Sequence, residues 1–240
     1  MKKQNIFFLF ILLACIFIFI INYKTTITEH LTTKVCEFPH LILNKTQLSS
    51  LRELLLLFKK ICKENNIKYF AIGGTLVGTV RTGGFLPFDD DIDLGILDTD
   101  QDKIKQFITN YKSDVYYFEK VFFGYKLKKK ESNVFIDIMI FENVNNKYVI
   151  DPTNNPWPES SFNSIDEILP LKKMSFNNIK INVPQKYLDY LNRNFPKWDK
   201  TIKIDCGHLE DLCVYDKHNL PQEFDINYQN GKYNCRSNFF

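Results

Sequence analysis

The run Phe88-Asp89-Asp90-Asp91-Ile92-Asp93-Leu94 sets the strongest condition on how this chain folds, because four carboxylates stand within five positions while apolar residues flank and interrupt them. On an extended strand alternate side chains share a face. Asp91 and Asp93, with Asp89 beyond them, therefore project one way, and Ile92 and Leu94 project the other way into a core. Two carboxylates about 4 Å apart at an effective dielectric near 20 repel by roughly 4 kcal/mol. A fold that accepts this strand needs a cation between them. A hard divalent ion, Mg2+ or Mn2+, supplies it through oxygen ligands and then holds a substrate's phosphates. A solvated acidic turn would not alternate with Ile and Leu. An EF-hand calcium loop would use Asp89, Asp91 and Asp93, but it requires a glycine where Leu94 stands and ends here in Asp100 rather than Glu. Helix capping would employ one Asp and leave the others unexplained.

Two further elements bear on the same chemistry. Gly73-Gly74-Thr75 falls between a strand-like segment and a helical one, where bare backbone N–H groups approach phosphate oxygens closely and the helix N-terminus favours an anion. A Gly-Gly turn with a capping Thr is commonplace by itself, and its position shortly before the Asp cluster gives it weight. Asp137 is a single carboxylate within Val134-Phe135-Ile136-Asp137-Ile138-Met139-Ile140. Ionising it inside an apolar strand is costly unless a metal or a partner compensates, although hydrogen bonds to backbone would also serve. A third carboxylate on a strand beside Asp91 and Asp93 completes a metal site.

The periodicity places these residues in an α+β domain. Leu48, Leu51, Leu54, Leu55, Phe58, Ile61 and Cys62 recur at three- and four-residue steps, which predicts an amphipathic helix ending near Asn65-Asn66. Lys68–Ile72 reads as a short strand, Thr75–Arg81 as a helical turn and Asp91–Leu97 as a second strand. A helix over about Thr99–Tyr111, capped by Asp98 or Thr99, follows. Strand-like runs come next at Asp114–Val121, Phe122–Lys128 and Asn133–Phe141. Beyond Tyr148 the prolines Pro152, Pro156, Pro158 and Pro170 point to loops. A helix holding Tyr187, Leu188, Tyr190 and Leu191 is expected after Val183-Pro184, and the stretch from Phe195 to Phe240 carries no clear period.

Ahead of this domain Ile6–Ile21 is an unbroken apolar run preceded by Lys2 and Lys3. It is shorter than the ~20 residues of an ordinary spanning helix and too apolar all round for a surface helix. A cleaved signal peptide and an uncleaved anchor both fit; the lack of small residues after Ile21 favours the anchor. Lys2 and Lys3 then stay in the cytosol. The expected layout is a cytosolic tail over 1–5, a transmembrane signal anchor over 6–21, a stem over 22–42 and a lumenal domain over 43–240. That layout is the one expected of a single-pass type II protein of the endoplasmic reticulum or Golgi membrane. The sequon Asn44-Lys45-Thr46 agrees with a lumenal domain. Outside the apolar run the cysteines are Cys36, Cys62, Cys206, Cys213 and Cys235, an odd number that leaves one thiol over. Cys206 and Cys213 are the first choice for a disulfide; a zinc site with His208 and His218 is the competitor. A net charge of +3 with interspersed signs gives no nucleic-acid-binding surface.

The stretches Tyr69–Arg81 and Gly84–Asp93 together are similar to the signature of the LicD/fukutin family, with Phe88 where a Trp is usual and Thr82 where a basic residue or His is usual. The resemblance extends through Phe135-Ile136-Asp137-Ile138 and, more loosely, to Phe195-Pro196-Lys197-Trp198. It implies a nucleotidyltransferase-like mixed sheet with flanking helices, with Asp91, Asp93 and Asp137 as catalytic metal ligands. It also implies a CDP-alcohol donor such as CDP-choline or CDP-ribitol, and a glycan acceptor. Gly73, Gly74 and Thr75, with Arg81 and more weakly Lys126, are the expected contacts to the donor phosphates. The same carboxylates would also serve a nucleotidyltransferase attacking the α-phosphorus, and a non-catalytic lumenal binding protein is a further alternative.

Overall fold

The computed structural model describes residues 43–86, 89–154 and 157–200, and the backbone of 201–204, 222–229 and 232–236. The predicted anchor, the stem and the Cys206–Cys213 pairing lie outside the described residues. Among the described residues no helix is long and apolar enough to cross a membrane.

Helix α1 (Lys45–Glu64) begins in a reciprocal cap: the Asn44 side chain accepts the Gln47 N–H, and the Gln47 side chain accepts the Asn44 N–H, each at 2.9 Å. Such a cap contributes about 1 kcal/mol. Asn44, the sequon residue, is thus the exposed N-cap of this helix. At the other end Asn66 turns left-handed (φ 51°), and the Ile67 N–H reaches back to the Cys62 carbonyl at 2.8 Å, closing the helix. Leu51, Leu54, Leu55 and Phe58 are wholly buried, at about 1.5–3 kcal/mol each. Their face packs across the central strands of the sheet. Cys62 is a buried free thiol on this face, its pKa raised by burial and then by the nearby Asp100 charge.

The sheet contains β1 (Tyr69–Ala71), β2 (Asp91–Leu97), β3 (Tyr116–Val121), β4 (Gly124–Lys129), β5 (Phe135–Val144) and β6 (Lys147–Ile150). Its order is β1-β2-β5-β4-β3, with β6 also pairing to β5. Only the β2–β5 pair is parallel. Helix α2 (Gly73–Arg81) links β1 to β2 and packs on β2. After β2 a short 3-10 turn (Asp98–Asp100) leads into α3 (Gln101–Asn110). The expected caps are not used there. Asp98 accepts the Thr99 and Asn143 N–H groups, while Asp100 at the N-cap position is buried and accepts the Lys68 N–H at 2.8 Å. Tertiary donors compete successfully with the helix end for both side chains.

The segment expected to be loop beyond Tyr148 is more ordered than its prolines suggest. It contains β6, a short α4 (Ile165–Ile168), the hairpin β7 (Lys172–Phe176) and β8 (Ile179–Val183), and α5 (Tyr187–Asn194). β8 lies beside β1, where the Asn182 amide donates to the Tyr69 carbonyl at 3.0 Å. The tight turns of the β5–β6 and β7–β8 hairpins are Asn145-Asn146 and Asn177-Asn178, all four with positive φ. Two-residue hairpins select this conformation because its twist matches the strands, and Asn tolerates it. β9 (Thr201–Ile204) follows, and separately β10 (Gln222–Gln229) and β11 (Lys232–Arg236) form an antiparallel hairpin.

Candidate functional site

Asp91 and Asp93 occupy the start of β2, and the parallel register sets Asp93 opposite Asp137 of β5. One carboxylate oxygen from each of Asp91, Asp93 and Asp137 lies within 4.8 Å of the other two. The structure thus brings the three sequence-predicted ligands together. Asp91 and Asp137 are only 7% and 6% exposed, and Asp93 is half-buried. Burial without compensation penalises every one of these charges.

One compensating charge comes from Lys126 of β4, which the antiparallel register sets opposite Asp137. Its Nζ lies 2.9 Å from Oδ1 and 3.3 Å from Oδ2 of Asp137, but only the Oδ2 contact has the direction of a hydrogen bond. Oδ1 is left buried without a directed donor. Burial pushes the Asp137 carboxyl up to about 6, against the opposing pull of Lys126. The Asp89 carboxyl is also pushed well above its usual range, first by burial, then by the Asp91 and Asp93 charges and a hydrogen bond with Asp91. Asp89, which strand alternation set beyond the pair, thus belongs to the cluster. The donor set is all carboxylate oxygen, and ligands about 2.0–2.6 Å from a hard ion stand no more than about 5 Å apart. The cluster fits one divalent cation.

The Gly-Gly turn is built around these carboxylates. Gly73 has φ +53°, and a Cβ there would stand 2.2 Å from Asp93 Oδ2; one on Gly74 would stand 2.2 Å from Asp89 Oδ2. Only glycine lets the start of α2 come this close. The Gly74 N–H donates to Asp93 Oδ2 at 3.0 Å, and Thr75 Oγ1 accepts the Asp93 N–H at 2.8 Å. The positive end of the helix dipole adds to this grip on the carboxylates. The contacts visible for Gly74 and Thr75 are therefore ones that position Asp93.

Tyr190 of α5 supports the turn from behind. Its ring is stacked on Phe162 with centroids 4.7 Å apart, and its hydroxyl is hydrogen-bonded to the Ser160 side chain and the Gly73 backbone. Burial raises the phenol to about 12, so it stays neutral. Sequence periodicity showed Tyr190 only as a helix residue; no local signal ties it to Gly73. Arg81, in the last turn of α2, donates from Nη1 to the Trp198 carbonyl at 2.9 Å. This contact ties the expected phosphate clamp to the Phe195–Trp198 segment.

The family model described as LicD/FKTN/FKRP, nucleotidyltransferase domain, matches residues 66–186, which include Gly73, Gly74, Asp91, Asp93, Lys126 and Asp137. An uncharacterized Rickettsia typhi protein is 34% identical over 164 residues, covering 66% of this chain and 50% of that one. The ribitol-5-phosphate transferase FKTN of Mus musculus is 27% identical over 167 residues, covering 63% of this chain and 34% of FKTN. The lipopolysaccharide cholinephosphotransferase LicD of Haemophilus influenzae is 49% identical over 37 residues, 15% of this chain and 14% of that protein. The chain spans half the length or less of these three relatives. With the family model matched across the whole carboxylate cluster, the chain belongs to the LicD/FKTN/FKRP family and carries its nucleotidyltransferase domain.

Proposed function

We propose that this chain transfers a phosphorylated alcohol from a CDP-alcohol to a glycan hydroxyl, using a divalent ion held by Asp91, Asp93 and Asp137. The observation that carries the proposal is the buried carboxylate cluster, whose three oxygens within 4.8 Å suit a hard cation, in a family with relatives named as ribitol-5-phosphate and phosphocholine transferases. A bound Mg2+ or Mn2+ would supply charge neutralisation for the donor diphosphate. Lys126 and Arg81 are the cations assigned to the phosphates, and Gly74 and Thr75 hold Asp93 in place, while the Gly73 backbone is left free of side chain for a close approach of the donor. The acceptor oxygen forms a bond to the phosphorus distal to the nucleoside. The bond from that phosphorus to CMP breaks, and CMP leaves with the electron pair. The hydroxyl proton leaves to a base at the site, a role that falls to Asp137 where it does not ligate the ion.

The experiment is product analysis with the full chain, Mg2+ and a panel of CDP-alcohols. Release of CMP together with a phosphodiester on the acceptor supports the proposal. The second possibility, favoured by the name of the matching domain, is transfer of the nucleoside monophosphate itself. It would leave the nucleotide on the acceptor and release no CMP. We also propose that the catalytic domain lies in the lumen of the endoplasmic reticulum or Golgi, behind an anchor at 6–21. Expression in a eukaryotic cell would then give a membrane-integral, glycosidase-sensitive product beginning at Met1. A cytosolic, unglycosylated product would remove that placement.

A further inference from the structure

A pair of exposed aromatic rings with no part in the core is linked to the carboxylate site through Phe123 and Lys126. Phe122 and Phe123 form the two-residue turn between β3 and β4, whose strands close at Val121 and Gly124. Such turns ordinarily use Gly, Asn or Asp, and nothing in turn geometry calls for two phenyl rings. Phe123 is buried, but Phe122 is 62% exposed and Trp157 39% exposed. The Phe122 and Trp157 rings are stacked at 5.6 Å between centroids, and Phe123 contacts both, at 5.0 Å from Phe122 and 5.9 Å from Trp157. From Phe123 the contacts lead to the site: Lys126 Nζ is 5.7 Å from its ring, 3.8 Å from the Phe135 ring and 2.9 Å from Asp137 Oδ1.

The order of groups, from carboxylates to an ammonium to an open aromatic surface, parallels the order of groups in a nucleotide from phosphate to base. We propose that the Phe122–Trp157 pair is the platform on which the nucleobase of the donor stacks, with Lys126 facing the phosphates. This deepens the donor assignment made above and rests on it. A cationic head group is disfavoured here, because the Lys126 ammonium already lies on the Phe135 face and Lys128 Nζ is 6.0 Å from the same ring. A base is uncharged, presents a flat π-face and brings its own phosphates to the lysine. Two rings are also far too small for a protein interface, which needs on the order of 1,000 Å².

The test measures binding of CMP and of ribose 5-phosphate to the full chain with Mg2+ by equilibrium dialysis, for the parent, Phe122→Ala, Trp157→Ala and Trp157→Phe. Both side chains are partly exposed, and thermal melting confirms that each variant is folded. Each alanine variant should bind CMP about tenfold or more weakly, with ribose 5-phosphate unchanged and Trp157→Phe close to the parent. Equal CMP affinity in both alanine variants overturns the platform. So does an increase in the acceptor KM alone, which would make the rings an acceptor surface, and so does a parent that binds no CMP. The two proposals fail separately. Platform-dependent CMP binding without transfer from any CDP-alcohol removes the transferase proposal only, whereas CMP release with undiminished binding in the alanine variants removes the platform only.

Discussion

Asp93 of β2 and Asp137 of β5 face each other at one position of a parallel strand pair. The backbone ladder that joins the two strands therefore forces two acids together, and Asp91 adds a third. Parallel pairing and charge repulsion oppose each other at this point in the sheet, which makes the site sensitive to any cation that enters it.

Replacing Asp91 or Asp93 by Asn keeps shape and hydrogen bonding, including an oxygen for the Gly74 N–H, but removes a charged ligand. Folding should survive while divalent-ion binding and turnover collapse, and Asp137→Asn should do the same. Without metal, Asp91→Asn and Asp93→Asn should melt at or slightly above the temperature of the metal-free parent, because repulsion is relieved, whereas Asp137→Asn also loses the pairing with Lys126. Metal-dependent CMP release at the parental rate in both Asp91→Asn and Asp93→Asn would sink the mechanism.

Gly74→Ala drives a methyl group into the Asp89 carboxylate, and Gly73→Ala adds a left-handed backbone to a clash with Asp93. Each should cost about 1–3 kcal/mol, read from the urea midpoint, and reduce the stabilisation given by Mg2+. A midpoint equal to the parent's would show that the turn is looser than these contacts require.

Lys126→Met removes the ammonium paired with Asp137 and leaves the acid buried beside its fellows. A loss of about 1–3 kcal/mol is expected in the metal-free protein. Added Mg2+ should raise the melting temperature more in this variant than in the parent, since the ion replaces the missing charge. An equal or smaller rise would argue that Lys126 and the ion act independently.

Glu167 supplies a pH dependence away from the acidic cluster. Burial disfavours its charge, but hydrogen bonds from the Asn163 backbone and side chain, at 3.1 Å each, and from Arg193 at 2.9 Å outweigh burial and hold the carboxyl below its usual value of 4.5. A folded-state value below the unfolded one means that the stabilisation is complete above 4.5 and is lost as the pH falls through the folded value. Glu167→Gln should therefore lower the melting temperature at pH about 7 and converge with the parent in strong acid. A constant difference across that range would contradict the assignment.

What could be read from the sequence was whatever local periodicity encodes. The three- and four-residue steps from Leu48 to Cys62 gave α1, and alternation gave β2 over Asp91–Leu97 with both ligands on it. Asp137 stood out because a lone acid in an apolar strand demands compensation. Alternation set Asp89 on the ligand face, and its hydrogen bond with Asp91 draws it into the cluster; Tyr190 was not legible as a site residue, since its contact with Gly73 comes from across the fold. The β7–β8 hairpin had a signal in Asn177-Asn178, but the surrounding prolines spoke more strongly for loop. Strand order was hidden as well, because nothing within β2 says that its parallel neighbour lies beyond β3 and β4 in the chain.

That interposed hairpin has a consequence for the order of folding. β3, β4 and β5 pair with their immediate successors and close short loops, whereas β2 must dock on β5 across all the chain between them. The acids meet only at that docking, so the energetic penalty of the site falls on the least local strand pairing of the sheet. If docking belongs to the rate-limiting barrier, a divalent ion will accelerate refolding; if it comes after the barrier, the ion will leave refolding unchanged and slow unfolding instead. Stopped-flow refolding with and without Mg2+ separates these, and would date the birth of the site within the folding reaction.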